Sequence, residues 1–350
     1  MNNRNIIPIQ WLRAVAVTLV VCWHVMVKAH VLNITTSDYF YIGNSGVDLF
    51  FVISGFIMAY TAQRNANGVE FILRRIIRIL PLYWLISIFA LLVYLYNPSM
   101  VNSNSPHTTL INSFTLIPIE NYAMLVDVGW TLRYEFIFYL ILSLSFMSGK
   151  TMGLVICSII MIVLPTIGLI VNSNEFYFTF ITNPLLIEFS LGIIAFYASS
   201  NSIIQKNHNA IIISGLTLLV LIELYAPFIN RCFKYGIPMM LVLIGARNIK
   251  IHENIFSKIL CIVGNASYSI YLTHMFTIGL SILILKSTIY GSKYDIIFIP
   301  ASIIASIVAG VACFYIIETP LLKISKKVLS NNKSRFLGKN RKVTQIDTNP

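Results

Sequence analysis

The sequence predicts an all-α fold, a polytopic integral membrane bundle of about ten transmembrane helices, and three observations carry that prediction. Of the 350 residues, 57% are hydrophobic and only 11% are charged, against about 25% charged in an ordinary soluble domain. The mean hydropathy is +0.78. Apolar runs of about 20 residues, the length a helix needs to cross the hydrocarbon core, recur along the chain.

The ten runs lie roughly at residues 7–30, 46–63, 79–97, 129–147, 152–171, 183–199, 210–226, 235–246, 264–285 and 296–317. The eighth is short for a full crossing, and 110–119 (LINSFTLIPI) reads as a candidate re-entrant piece. The first run is expected to be a retained helix and not a signal peptide, because it is long, contains Arg13 and lacks a small-residue cleavage site. No intervening loop exceeds about 35 residues or alternates like a folded soluble insert, so one membrane domain is expected at 1–322. The remainder, 323–350, is a basic tail expected to be disordered or to touch lipid headgroups. The loop Asn97–Asp127, rich in Asn, Ser and Pro around an apolar middle, is expected to act as a lid or to lie along the membrane surface.

The formal charge of +12 invites a nucleic-acid partner, but its placement argues for a membrane instead. Alternating ten spans from a cytoplasmic N-terminus puts Arg64, Arg74, Arg75, Arg78, Lys150, Lys206, Arg247, Lys250, Lys258 and the tail after Lys323 on one side. Only Lys28, Arg231, Lys234, Lys286 and Lys293 fall on the other, as the positive-inside rule requires with both termini cytoplasmic. The five cysteines, Cys22, Cys157, Cys232, Cys261 and Cys313, show no close pairing and predict neither disulfides nor a metal site.

Polar residues inside such spans need a reason, since a charge at the bilayer centre costs about 2.5–3.5 kcal/mol on insertion scales. The spans hold Arg13, His24, Asp48, Arg133, Glu135, Glu188, Glu223 and His274. At a rise of about 1.5 Å per residue, His24 sits about 9 Å short of the outer end of its helix and Glu135 about 9 Å below the same surface. Asp48 and Glu188 also fall in the outer half, so four titratable groups from four helices are expected to share one layer. Arg13 and His24 are eleven residues apart, three helical turns plus about 20°, so they share a face across about 16 Å. An elongated ligand with an anionic end and a reactive tip, such as a coenzyme A thioester, suits that stripe. The plainer alternative has Arg13 snorkelling to headgroups and His24 bonding a neighbouring helix.

FILRRIIRILPLYW places Arg74, Arg75 and Arg78 at the start of the third span, with Arg74 and Arg78 pointing the same way for phosphate recognition. Positive-inside topology alone also puts arginines there. In GVDLFFVISGFIM, Ser54 and Gly55 let a thin ligand, or another backbone, approach closely. SYSIYLTH sets Tyr271 and His274 at i and i+3, lining a cavity or bonding a neighbour.

Together these stretches resemble the membrane acyltransferase family 3, which includes O-antigen and exopolysaccharide O-acetyltransferases. The resemblance rests on Arg13 and His24, DLFFVISGF, RRIIRILPLYW, GWTLRYEFIFY, SYSIYLTH and IETP, in order from about residue 7 to 325. It implies an O-acyltransferase of the bacterial inner membrane that takes acetyl-CoA as donor substrate, with no permanently bound cofactor. The implied acceptor is a hydroxyl of a cell-surface or lipid-linked polysaccharide, such as lipopolysaccharide or exopolysaccharide. The implied partners are membrane lipids besides donor and acceptor, and no nucleic acid. Arg13, Arg74, Arg75 and Arg78 are then the acyl-CoA-binding candidates and His24 the catalytic one. Glu135 is expected to hold its imidazole in one tautomer as in a triad. Asp48, Ser54, Trp130, Glu188, Tyr271 and His274 are candidate cavity-lining residues, with Trp130, Ser54, Tyr271 and His274 able to stabilise an oxyanion. The rival reading is a proton-coupled transporter or flippase, in which buried acids and histidines relay protons.

Overall fold

Backbone amides in hydrocarbon have no water to bond, so apolar runs must satisfy them internally. In a computed structural model that describes residues 7–35, 40–63, 67–101, 107–249, 251, 254–288 and 292–328, they do so as helices. No strand occurs among the described residues. The first five helices are α1 (Ile7–Val31), α2 (Ser45–Ala62), α3 (Gly68–Tyr96), α4 (Leu110–Thr115) and α5 (Trp130–Ser145). There follow α6 (Lys150–Val171), α7 (Phe176–Ile181), α8 (Leu186–Ala198), α9 (Ser202–Lys206) and α10 (His208–Tyr225). The last four are α11 (Ile237–Ala246), α12 (Ile255–Asn265), α13 (Ser267–Thr288) and α14 (Ser292–Cys313). Two π turns, Cys232–Gly236 and Phe314–Glu318, lead into α11 and carry the last helix on to residue 328.

Every expected span contains a helix, and eight helical segments among the described residues are long and apolar enough to cross a membrane. This is a multi-pass membrane protein. The fourth expected span is α5, whose 16 residues reach about 24 Å, short of a core about 30 Å thick. The eighth is the short helical run Cys232–Ala246. Outward faces are apolar, with Leu95 of α3 70% exposed and Ile170 of α6 77% exposed, while Asp48, Glu188 and His274 are fully buried. Lipid, and not water, is the solvent such a surface fits.

Buried α2 forms the centre. It crosses α8 with backbones in contact, because a Cβ on Gly55 would lie 2.0 Å from the Phe189 carbonyl oxygen and one on Gly192 2.1 Å from that of Val52. Of the two readings of Gly55, backbone packing is the one observed. Phe189 then stacks on Phe138 of α5, ring centroids 4.4 Å apart, which joins α8 to α5.

Three boundaries differ from the expected ones. α3 begins at Gly68, capped by the Asn67 side chain accepting from the Glu70 amide at 3.0 Å, so the arginine cluster lies within the helix. The last helix extends to residue 328, past the expected start of the tail at 323; the rest of the expected tail lies outside the described residues. The 110–119 stretch contains α4, which is two-sided: Asn112 and Ser113 are fully buried and Trp84 of α3 donates to the Phe114 carbonyl at 2.9 Å, while Leu110, Ile111 and Ile117 are exposed.

If the α2–α8 crossing sets the centre of the bundle, Gly192→Ala lowers stability by about 1–3 kcal/mol through overpacking. Thermal unfolding of detergent-purified protein should show a clear drop in midpoint, and an unchanged midpoint would refute the crossing.

Candidate active site

Helix α13 runs beside α1 in the same sense. Gly264, just ahead of α13, is so close to α1 that a Cβ there would meet the Gln10 carbonyl oxygen at 2.0 Å, and His274 reaches His24 further along. Tyr268, Tyr271 and His274, each three residues on, form a stripe up α13. Each rung bonds a different element. The Tyr268 hydroxyl donates to the Ile79 carbonyl on α3 at 2.8 Å, and that of Tyr271 to the Val128 carbonyl at 2.9 Å. His274 Nε2 lies 3.3 Å from His24 Nδ1.

These contacts assign the histidine protons. His274 Nδ1 is 2.7 Å from the Tyr271 carbonyl oxygen, which can only accept, so Nδ1 carries the hydrogen and the neutral ring offers Nε2 as acceptor. His24 Nδ1 faces that Nε2 and, at 3.0 Å, the Val20 carbonyl oxygen. Two acceptors require a hydrogen on Nδ1, which leaves the lone pair of His24 on Nε2.

Below this pair lies a cavity of about 220 Å³ between α1, α2, α3, α5 and α13. Arg13, Arg75 and Arg78 line one end, and Tyr271 is the lining residue adjacent to His274. Ser54, Glu135 and Tyr139 form a polar patch on its wall: Tyr139 donates to Glu135 Oε1 at 2.6 Å and Ser54 to the same oxygen at 3.1 Å. The Arg75 guanidinium stands 6.0 Å from the Tyr139 ring centroid, and its buried Nε has no hydrogen-bond partner. A second cavity of about 420 Å³ opens toward the N-terminal end of α1. Arg13 and Arg78 line both cavities and so form the neck between them. The Arg13 guanidinium donates to Gln10 at 3.2 Å, and Arg78 pairs with Glu318 at 2.8 Å.

The structure brings Arg13, Arg75, Arg78, Ser54, Glu135 and Tyr271 onto one cavity and joins His24 to His274 beyond it. It corrects five expectations. Glu135 is not the partner of His24. The turn before α5 is sunk into the bundle, level with Tyr271, so Glu135 lies about 10 Å deeper than the imidazoles. The acid whose charge acts on His24 is Asp127, in that turn. Arg74 turns outward, 57% exposed, because Glu70 one turn earlier captures it; Arg75 and Arg78 take the cavity face. Asp48 and Glu188 line neither cavity. They are buried between α2, α8 and the first π turn, where Arg231 grips Asp48 through two hydrogen bonds of 2.9 Å. Trp130 lines neither cavity and packs edge-on against Tyr134 at 6.0 Å. His274 is itself no lining residue, its ring being fully buried against His24.

Sequence reasoning passed over Tyr139, Tyr268, Thr131 and Asp127. Tyr139 is one turn from Glu135 and Tyr268 one turn from Tyr271, which is the signal that was there to use. Thr131 bonds the Tyr271 hydroxyl at 3.0 Å, so the two side chains together close the cavity end nearest the imidazoles.

The family profile of an acyltransferase domain matches residues 6–318. The chain belongs to acyltransferase family 3. This membrane acyltransferase is also similar to the exopolysaccharide production protein ExoZ of Rhizobium meliloti (strain 1021). The two are 29% identical over 302 residues, covering 82% of this chain and 92% of ExoZ. No solved structure matches. The matched range takes in α1, the arginines of α3 and the whole α13 stripe, so the first cavity lies within the acyltransferase domain, while the second straddles its edge, with Thr319, Leu322, Lys323 and Lys326 beyond the match.

The Asp48–Arg231 pair gives the acyltransferase a test of its buried acids. Arg231→Ala strands a buried carboxylate and should cost on the order of 3 kcal/mol. A melting curve unchanged from wild type would show that the pair is not a structural lock.

Proposed function

We propose that this protein moves an acetyl group from cytoplasmic acetyl-CoA to a hydroxyl of a cell-surface or lipid-linked polysaccharide, with both termini in the cytoplasm. The observation that carries this reading is the contact of His24 Nδ1 with the Val20 carbonyl oxygen at 3.0 Å and with His274 Nε2 at 3.3 Å, an arrangement that puts the ring hydrogen on Nδ1 and leaves the lone pair on Nε2. That is the state a general base needs. Arg13, Arg75 and Arg78, along the cavity that leads toward it, supply the cations an acyl-CoA would meet. Similarity to ExoZ, a protein of exopolysaccharide production, favours a polysaccharide acceptor.

In this mechanism the thioester travels up the inner cavity and passes Tyr271, whose bond to Thr131 must open to admit it. His24 Nε2 removes the proton of the acceptor hydroxyl. The oxygen attacks the thioester carbonyl carbon, the C–O bond forms, the C–S bond breaks, and the proton passes from Nε2 to the departing sulfur. His274 takes the role expected of Glu135: it fixes the His24 ring by accepting from Nδ1–H. Asp127 stabilises the transient imidazolium from the outer turn. Glu135, held by Tyr139 and Ser54, serves instead as the counter-charge for Arg13 and Arg75.

Purified His24→Ala should keep its fold and lose acetyl transfer by about 10²–10⁴-fold, the usual worth of a general base. Transfer at the wild-type rate would end this mechanism. Measuring the O-acetyl content of surface glycans with and without the protein then tests the acceptor class. The arginines divide in a second experiment: Arg75→Ala raises KM for acetyl-CoA by about tenfold, the loss of one charge-assisted contact. Arg74→Ala leaves it within about twofold, as expected of a surface ion pair. Equal effects of the two substitutions would place the donor elsewhere.

A further inference from the structure

The second cavity, at the N-terminal end of α1, holds a set of side chains that the acyl-transfer chemistry leaves unused. Lys323 and Lys326 project from the last helix into it, facing Arg13 and Arg78 at the neck. Phe314 and Asn265 complete the wall. Phe314 opens the π turn Phe314–Glu318, and such insertions often mark functional positions because they rotate the following residues relative to a regular helix. Thr319, Leu322, Lys323 and Lys326, downstream of that turn, all line the cavity at the spacing of one helix face.

Four cations, an aromatic face and a side-chain amide around one opening are the complement of a phosphorylated nucleoside: guanidinium and ammonium groups for the phosphates, a ring to stack a base, an amide to bond its edge. A bare lipid headgroup would use the cations and leave Phe314 and Asn265 idle. Glu318, paired with Arg78, is the acid that offsets part of this charge, and it leaves the two lysines and Arg13 in excess. We infer that this vestibule is the binding site for the adenine nucleotide diphosphate end of the donor, with Lys323 and Lys326 as the residues that grip its phosphates. The inference rests on the donor being a coenzyme A thioester and assigns the part of that molecule which the inner cavity does not hold. It makes the start of the basic tail a piece of the substrate site.

The test uses the full chain in nanodiscs of zwitterionic lipid and measures equilibrium binding of coenzyme A, 3′-dephospho-coenzyme A and pantetheine. Lys323→Ala/Lys326→Ala should weaken coenzyme A at least about tenfold, as two lost charge-assisted contacts require. It should leave pantetheine, which lacks the nucleotide, unchanged, and Lys323→Arg/Lys326→Arg should restore binding. Phe314→Ala should weaken coenzyme A and spare pantetheine in the same way. Both lysines are exposed, so the variants should fold, and a matching thermal midpoint checks this. Coenzyme A binding equal in wild type and the double alanine variant overturns the inference and leaves the donor assignment standing. A wild-type protein that binds no coenzyme A overturns both. If the double variant loses only its response to anionic lipid added to the nanodiscs, the lysines serve the membrane surface and the inference is overturned.

Discussion

The hydrogen bonds that run up α13 fix the depth of everything else at the site. Tyr268 holds α3 through the Ile79 carbonyl, Tyr271 holds the turn before α5 through Val128, and His274 holds α1 through His24. In hydrocarbon an unmade bond of this kind costs more than in water, so each rung is a strong constraint on which residues can be level with one another. Because the rungs are about one turn apart, three elements from distant parts of the chain are stacked in register along one helix. The cavity is the space they leave between them. Its end is set by Tyr271 and Thr131, and its neck by Arg13 and Arg78.

The same economy explains how the bundle tolerates its charges. Asp48 and Arg231 neutralise each other away from the cavity, tying α2 to the turn that begins the Cys232–Ala246 run. Glu223 and Lys234 do so nearby at 3.1 Å. Around the cavity the balance is different. Arg75 keeps a buried Nε without a partner, and Glu135 accepts only from neutral hydroxyls. The paired and unpaired groups do not sort cleanly by place: Arg78 lines the cavity yet pairs with Glu318, and Glu188 lies away from it with both carboxylate oxygens buried and without a partner.

Much of this was legible beforehand. The helical class and the positions of the ten helical runs follow from apolar length, whereas Arg13 lines both cavities and His24, eleven residues on, lines neither. What stayed hidden depended on tertiary depth. Counting from Gly129 sets Glu135 level with His24 only if Gly129 stands at the membrane surface, yet the turn bearing Asp127 is bonded through Val128 to Tyr271 and carries the start of α5 into the bundle. The convergence of Asp48 and Glu188 was anticipated, but Arg231, nearly two hundred residues from Asp48, turns that convergence into a lock. Arg74 and Arg75 are neighbours whose fates diverge because Glu70 stands one turn from Arg74 only. The sequence offers His274 as a lining residue, but no spacing rule connects it to His24 across 250 positions.

The central claim is that His24 carries its proton on Nδ1, fixed by Val20 and His274, and presents a bare Nε2. Nitrogen NMR of histidine-labelled protein in lipid bilayers, with His24 assigned by comparison to a variant lacking it, reads this directly. A protonated Nδ1 with an unprotonated Nε2, and a shift in both signals when His274 is replaced, is the predicted result. A hydrogen on Nε2 of His24 in the resting protein, indifferent to His274, would contradict the account.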